Sequence, residues 1–189
     1  YKGMKHVNVS LFVPHLGCPN SCIFCNQKTI SGKCEPLKNE DIVNACEIAK
    51  NGNYDIADSE IAFFGGSFTA IPREKMISFL ETAKPYVGTY FSGIRISTRP
   101  DCIDEEVLEI LREYGVTAIE LGAQSMSDKV LLMNERGHTA DDVVKASELI
   151  KSYGFELGLQ MMTGLYGDDD KTAVETARKI IEIKPDTVR

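Results

Sequence analysis

The sequence predicts an α/β fold, a partial barrel of about six parallel strands with helices on the outside, a partial (β/α)6 arrangement. Short apolar runs of period two alternate along the chain with segments whose apolar residues recur three and four apart. Such alternation implies parallel pairing and crossover connections. The strand segments also carry polar residues on one face, Glu60, Arg95, Ser97, Glu120, Gln124 and Gln160. Alternate positions that point into a barrel lumen would gather them toward the C-terminal ends of the strands, where such folds place their chemistry. A flat sheet covered on both sides has no need of so many inward polar groups.

Val7, Val9, Leu11 and Val13 alternate with Asn8, Ser10 and Phe12, giving the first strand. A second runs from Ile61 to Phe64 and stops at Gly65-Gly66. Ile94 and Ile96 flank Arg95 in the third, which Pro100 should end. The fourth spans Ala118 to Gly122. In the fifth, Phe155, Leu157, Leu159 and Met161 share one face, and Glu156, Gly158, Gln160 and Met162 the other. Thr187-Val188-Arg189 begins a sixth, cut short by the end of the chain.

The intervening helices are read from their stripes: Ile42, Ala45, Cys46 and Ala49; Met76, Phe79, Leu80 and Ala83; Val107, Ile110, Leu111 and Tyr114. Thr139 caps a fourth, with Asp142 three residues on and a stripe of Val143, Ala146, Ile150 and Tyr153. Asp168 to Asp170 place negative charge at the start of a fifth, striped by Ala173, Ala177, Ile180 and Ile181.

With 189 residues, 43% hydrophobic and 26% charged, the chain can bury its own core and is neither disordered nor fibrous. No apolar run reaches the roughly 18 residues of a membrane span and no signal peptide opens the sequence, so a cytoplasmic protein without membrane partners is expected. A net charge of −7 argues against a broad basic grip on nucleic acid. Residues 1–38 depart from this, with Lys2, Lys5, Lys28, Lys33 and Lys38 against Glu35 alone. The chain starts at Tyr1, with Met4 inside, and stops inside a strand; one core domain over 1–189, trimmed at both ends, is expected.

Chemistry concentrates after the first strand. Cys18, Cys22 and Cys25 fall within eight residues, spaced C-x3-C-x2-C, whereas Cys34, Cys46 and Cys102 are scattered. Soft thiolates so crowded suit zinc or an iron-sulfur centre. Three ligands on one loop leave a coordination position for something other than protein. His15 or Cys34 as a fourth ligand would instead make a structural zinc site, and a non-catalytic zinc-binding module stands as the alternative.

These cysteines, with Phe24 before the last, resemble the signature of the radical S-adenosylmethionine (SAM) superfamily. The resemblance implies a TIM-like partial barrel of the radical SAM type. It also implies a 4Fe-4S cluster on Cys18, Cys22 and Cys25, its unligated iron chelated by SAM, with Phe24 near the adenine. Gly65-Gly66-Ser67 resembles the superfamily's glycine motif for the SAM amino group, although Ser67 stands where many members carry Glu or Thr. Ser97-Thr98-Arg99-Pro100-Asp101, Glu120 to Ser125, Asn134 to Thr139, Gly164 to Gly167 and Pro185 to Arg189 are similar to the branch containing the Elongator catalytic subunit, which modifies wobble uridines of tRNA. A looser similarity reaches oxygen-independent coproporphyrinogen III oxidase.

Carried over by position, Ser97, Gln124, Arg136 and Gln160 become SAM contacts, Arg136 toward the carboxylate. Gln160 stands where the porphyrinogen oxidase has an acid, which weakens its ribose contact. His138 is expected to order its loop, and no catalytic residue is assigned. The implied activity is reductive cleavage of SAM to a 5′-deoxyadenosyl radical that takes hydrogen from a substrate. That substrate is tRNA-related or, alternatively, a porphyrinogen or other small molecule. An electron donor such as a reduced flavodoxin or ferredoxin is the further expected partner.

Overall fold

Strand and helix alternate as the periodicities require. The computed structural model describes residues 8–13, 22–25, 36–52 and 58–189. Cys18, together with Val7, His15 and Cys34, lies outside the described residues. The strands are β1 (Val9–Val13), β2 (Glu60–Gly65), β3 (Gly93–Thr98), β4 (Val116–Gln124), β5 (Glu156–Met161) and β6 (Thr187–Val188). The helices are α1 (Asn39–Asn51), α2 (Arg73–Ala83), α3 (Glu105–Glu113), α4 (Asp128–Met133), α5 (Ala140–Ser152) and α6 (Asp170–Ile183). Among the described residues the strands form one parallel sheet in sequence order, β1 to β6, open between its first and last members.

The helices bury their striped faces against this sheet. Ile42, Cys46 and Ala49 of α1 are buried, as are Met76, Phe79, Leu80 and Ala83 of α2. Cys46 is thereby a core thiol, and burial together with the neighbouring Glu47 charge pushes it up to about 12. Thr139 caps α5 as predicted: its hydroxyl accepts from the Asp142 amide, and Asp142 accepts in return from the Thr139 amide at 2.7 Å. Two features depart from expectation. The short α4 has no counterpart in the sequence reading, because six residues are too few to show a stripe. On α6, Ile181 is exposed and Thr176 takes the buried position instead, its hydroxyl accepting from the Met126 amide at 3.1 Å.

Although open, the sheet curls. One cavity of about 720 Å³ is bordered at once by Ser10 of β1, Thr187 of β6 and residues of every strand between. The register stacks its inward residues in layers. Ala62, Arg95, Ala118 and Glu156 lie level across β2 to β5, Ser97, Glu120, Gly158 and Thr187 one layer on, and Gly122 and Gln160 beyond these. Beside the last layer, β4 shifts register between Gly122 and Gln124, and Gln124 adopts a left-handed φ of 64°. Few non-glycine residues accept that region, and bulges of this kind re-aim side chains beside functional sites. No helix among the described residues is long and apolar enough to cross a membrane.

Candidate active site at the rim of the sheet

The C-terminal ends of β2, β3 and β4 converge with two loops. Gly65 ends β2 at φ 105°, and a Cβ there would stand 2.4 Å from the Phe12 ring, so both its conformation and its space require glycine. The Gly66 amide donates to the Val13 carbonyl at 2.8 Å, tying this turn to the end of β1. Ser67 is buried, and its hydroxyl bonds that of Thr98 at 2.8 Å; Thr69 joins the same Thr98 hydroxyl at 2.6 Å. With the Arg99 amide also donating to it at 3.3 Å, the Ser67 side chain is absorbed by protein partners.

Cys22 and Cys25 sit in one turn, the Cys25 amide donating to the Cys22 carbonyl at 2.9 Å. Cys22 is buried; Phe24 and Cys25 are half-buried. The turn is anchored to the segment after α4, where the Ile23 amide donates to the Asn134 carbonyl at 3.3 Å. Asn134, itself buried, donates through its side chain to the carbonyls of Val130 at 2.7 Å and Tyr166 at 2.9 Å. Two residues later, Arg136 donates from Nη2 to the Gly122 carbonyl at 2.7 Å and from Nη1 to the Cys22 thiol at 3.4 Å.

Two residues that the sequence reading did not single out hold this arrangement. Arg99, 2% exposed, donates to the Arg136 carbonyl at 2.6 Å and grips Asp101 with Nε and Nη2, both at 2.9 Å. Its place at a strand end just before Pro100 was the available signal, since a polar residue there faces other loops. Gly122 is the second: a Cβ would stand 2.8 Å from Arg136 Nη2 and 3.0 Å from Gln124 Nε2, so glycine leaves the room these two groups fill. His138 lies buried under the same loop, its Nε2 donating to the Ala123 carbonyl at 3.3 Å. Burial, with the Arg136 charge beside it, lowers its pKa to about 4 and keeps the ring neutral.

One predicted cluster ligand and four of the predicted SAM contacts therefore fall into two groups. Cys22, Gln124 and Arg136 meet around Gly122 at the rim, and Gln160 lies opposite Gly122 in register. Ser97 and Gln160 line the cavity. There Arg95 meets Glu60 at 2.6 Å, Glu156 at 3.0 Å and Glu120 at 3.7 Å, while Arg189 meets Glu120 at 2.6 Å. These charges occupy the middle and N-terminal part of the lumen. The polar residues are thus spread along it, and the expected gathering at the strand ends holds for only part of the set.

Donor chemistry and polar burial at the rim suit a cluster with an organic chelator. Two thiols share one turn beside a buried guanidinium able to offset thiolate charge. Gln124 Oε1 is buried with no hydrogen-bond partner among the described residues. A stranded buried acceptor costs about 1–3 kcal/mol unless a ligand donor meets it. Among the described residues no three metal-ligating side chains converge; the third cysteine of the motif, Cys18, lies outside them.

Parallel strand and helix pairs curled around a lumen, with a thiol-bearing turn at the strand ends, define the class of α/β partial barrels. The chain belongs to the radical SAM superfamily, which it matches over residues 12–180. An uncharacterised protein of Methanocaldococcus jannaschii is 33% identical over 180 residues, covering 92% of this chain and 52% of that protein. The tRNA uridine(34) acetyltransferase of Dehalococcoides mccartyi is 24% identical over 206 residues, covering 92% and 45%. The chain thus spans about half the length of these relatives. Among solved structures, the Elp3 of Methanocaldococcus infernus superposes with a TM-score of 0.72 at 20% identity, over 95% of this chain and 44% of that one. Escherichia coli coproporphyrinogen III oxidase superposes at 0.71 and 17% identity, over 98% and 44%. At such identities the structural likeness shows the fold, and it is that of radical SAM partial barrels.

Proposed function

We propose that this chain is the core of a radical SAM enzyme in which Cys18, Cys22 and Cys25 hold a 4Fe-4S cluster at the rim. When bound, cluster and SAM together supply a 5′-deoxyadenosyl radical that removes hydrogen from a substrate. The observation that carries the reading is the buried Cys22 thiol set against Arg136, around the same Gly122 as the unsatisfied Gln124 acceptor.

The chain's own groups divide the work. Thiolates of the cysteine turn bind iron, and the backbone of Gly65 and Gly66 offers close approach for the SAM amino group. Gln124 Oε1 accepts from a ligand N–H or O–H, and Ser97 and Gln160 face the cofactor from the lumen wall, with Phe24 against the adenine. His138 stays neutral and keeps its loop on the Ala123 carbonyl.

A tRNA-related substrate is supported by the name of the Dehalococcoides relative and by the lysines of residues 1–38. Electron delivery is assigned to a reduced flavodoxin or ferredoxin. Anaerobic purification followed by iron and sulfide analysis, then incubation with SAM and dithionite, tests the chemistry. We expect iron, labile sulfide and 5′-deoxyadenosine from the native protein, with Cys18→Ala, Cys22→Ala and Cys25→Ala each reducing the product to background. Colourless protein with one zinc, or product from the cysteine variants, overturns the reading. For the substrate, tRNA affinity that falls steeply between low and moderate salt is expected; salt-insensitive or absent binding removes RNA.

A further inference from the structure

The Gly65-Gly66 turn, read as the cradle of an amino group, and Arg136, read as the grip on a carboxylate, lie on separate loops. One dipeptide, Thr98-Arg99, joins them. Hydroxyl groups make the first half of the link. Thr69 donates to the Cys102 carbonyl at 2.7 Å, which spends its single hydroxyl proton. The 2.6 Å contact between Thr69 and Thr98 is therefore donated by Thr98, and the 2.8 Å contact between Thr98 and Ser67 is donated by Ser67. The Ser67 oxygen in turn accepts the Arg99 amide at 3.3 Å. Every bond then runs one way, from the Arg99 amide through three hydroxyls to the Cys102 carbonyl, and members of such a chain polarise one another. Ser67 and Thr98 are both buried, so neither can exchange a lost partner for water without cost.

Arg99 makes the second half. Pro100 confines the residue before it to extended backbone, and Arg99 stands at φ −91° and ψ 149°. From there its buried side chain reaches the Arg136 carbonyl at 2.6 Å, while Asp101 holds Nε and Nη2 at 2.9 Å. The amide of one residue thus fixes the glycine turn, and its guanidinium fixes the loop of Arg136.

We infer, on the SAM assignment proposed above, that Thr98 and Arg99 are positioning residues: they hold the glycine turn and Arg136 at a set separation, so that both ends of the amino-acid part of SAM are met at once. Two grips held in register need no further ordering when the second end closes, and this preorganisation is gained only by a ligand that carries both ends.

The test compares, in the reconstituted protein, the equilibrium-dialysis affinities of SAM and of 5′-methylthioadenosine, which keeps the nucleoside and lacks the amino-acid part. Thr98→Val removes the central hydroxyl and keeps its shape; it is expected to weaken SAM roughly tenfold and methylthioadenosine less than about twofold. Thr98→Ser, which restores the hydroxyl, should return SAM to within about threefold of the native value. Damage to the fold alone would weaken both ligands alike. A second readout needs neither variant nor ligand: in the native protein, slowly exchanging hydroxyl protons of Ser67, Thr69 and Thr98 are expected by NMR. Equal weakening of the two ligands, SAM affinity unchanged by Thr98→Val, or hydroxyl protons lost to rapid exchange overturns this inference alone. Native reconstituted protein that binds no SAM overturns the parent reading with it.

Discussion

Within the lumen, Arg95 meets Glu60, Glu120 and Glu156, and the exposed Arg189 meets Glu120, so charges on the inner face of the sheet answer one another. At the rim, one layer beyond Glu120, Gln124 keeps a buried acceptor without a donor among the described residues, and a guanidinium turns to a thiol. Both regions place polar groups inside an α/β sheet, yet one is satisfied internally and the other, on the proposed function, is completed from outside. Substitutions should separate them: in the lumen they cost stability, and at the rim they cost ligand binding.

The largest effect is expected from Arg95→Met. It leaves three carboxylates facing one another without their shared cation, and breaking a partly buried network of this kind costs about 3 kcal/mol, the low end for buried pairs. For a domain of this size that lowers Tm by roughly 6–12 °C, readable by thermal denaturation. Pairing it with Glu60→Gln should restore part of the loss; an unchanged Tm for Arg95→Met would erase the distinction between the regions.

His138 gives a similar upper value through pH. Its folded pKa of about 4 lies below the reference of 6.5, so between those values the unfolded chain holds the extra proton. Stability therefore rises with pH across that window, and up to roughly 3 kcal/mol is lost as pH falls from 6.5 through 4. Denaturant titrations at several pH values should show this slope in the native protein and a flatter one in His138→Gln.

Gln124→Met is a smaller change that bears most directly on the rim. Removing an acceptor that no donor among the described residues satisfies should leave stability within about 1 kcal/mol while weakening SAM binding by roughly 5- to 10-fold. A large fall in Tm with unchanged SAM affinity would place Gln124 with the lumen charges instead. Smallest is Thr139→Ala, which removes the α5 cap, whose side-chain bonds are all local to Asp142, and should cost about 1 kcal/mol with little effect on cofactor binding.

Much of the scaffold was legible because it follows from periodicity. The stripe of α2 is buried residue for residue, and the Thr139 cap forms with its Asp142 partner. Thr176 and Ile181 exchanged places because a threonine that bonds a neighbouring amide can be buried as readily as an isoleucine, which hydrophobic spacing alone does not show. At the rim, Cys22, Gln124 and Arg136 were named from motifs, whereas Arg99 was missed. Its burial depends on Asp101 and on the Arg136 carbonyl 37 residues away, contacts that no local pattern encodes. Glu156 escaped for a related reason: only register places it level with Arg95.

The basin inside the sheet also sorts by sign. Asp58, Glu60, Glu120 and Glu156 border it against Arg95 and Arg189, so its walls carry more negative than positive charge. A phosphate descending into it would meet repulsion on several sides, whereas a neutral ring or a cationic amine would not. Any polyanion handled here must leave its backbone outside and admit only an uncharged or cationic part.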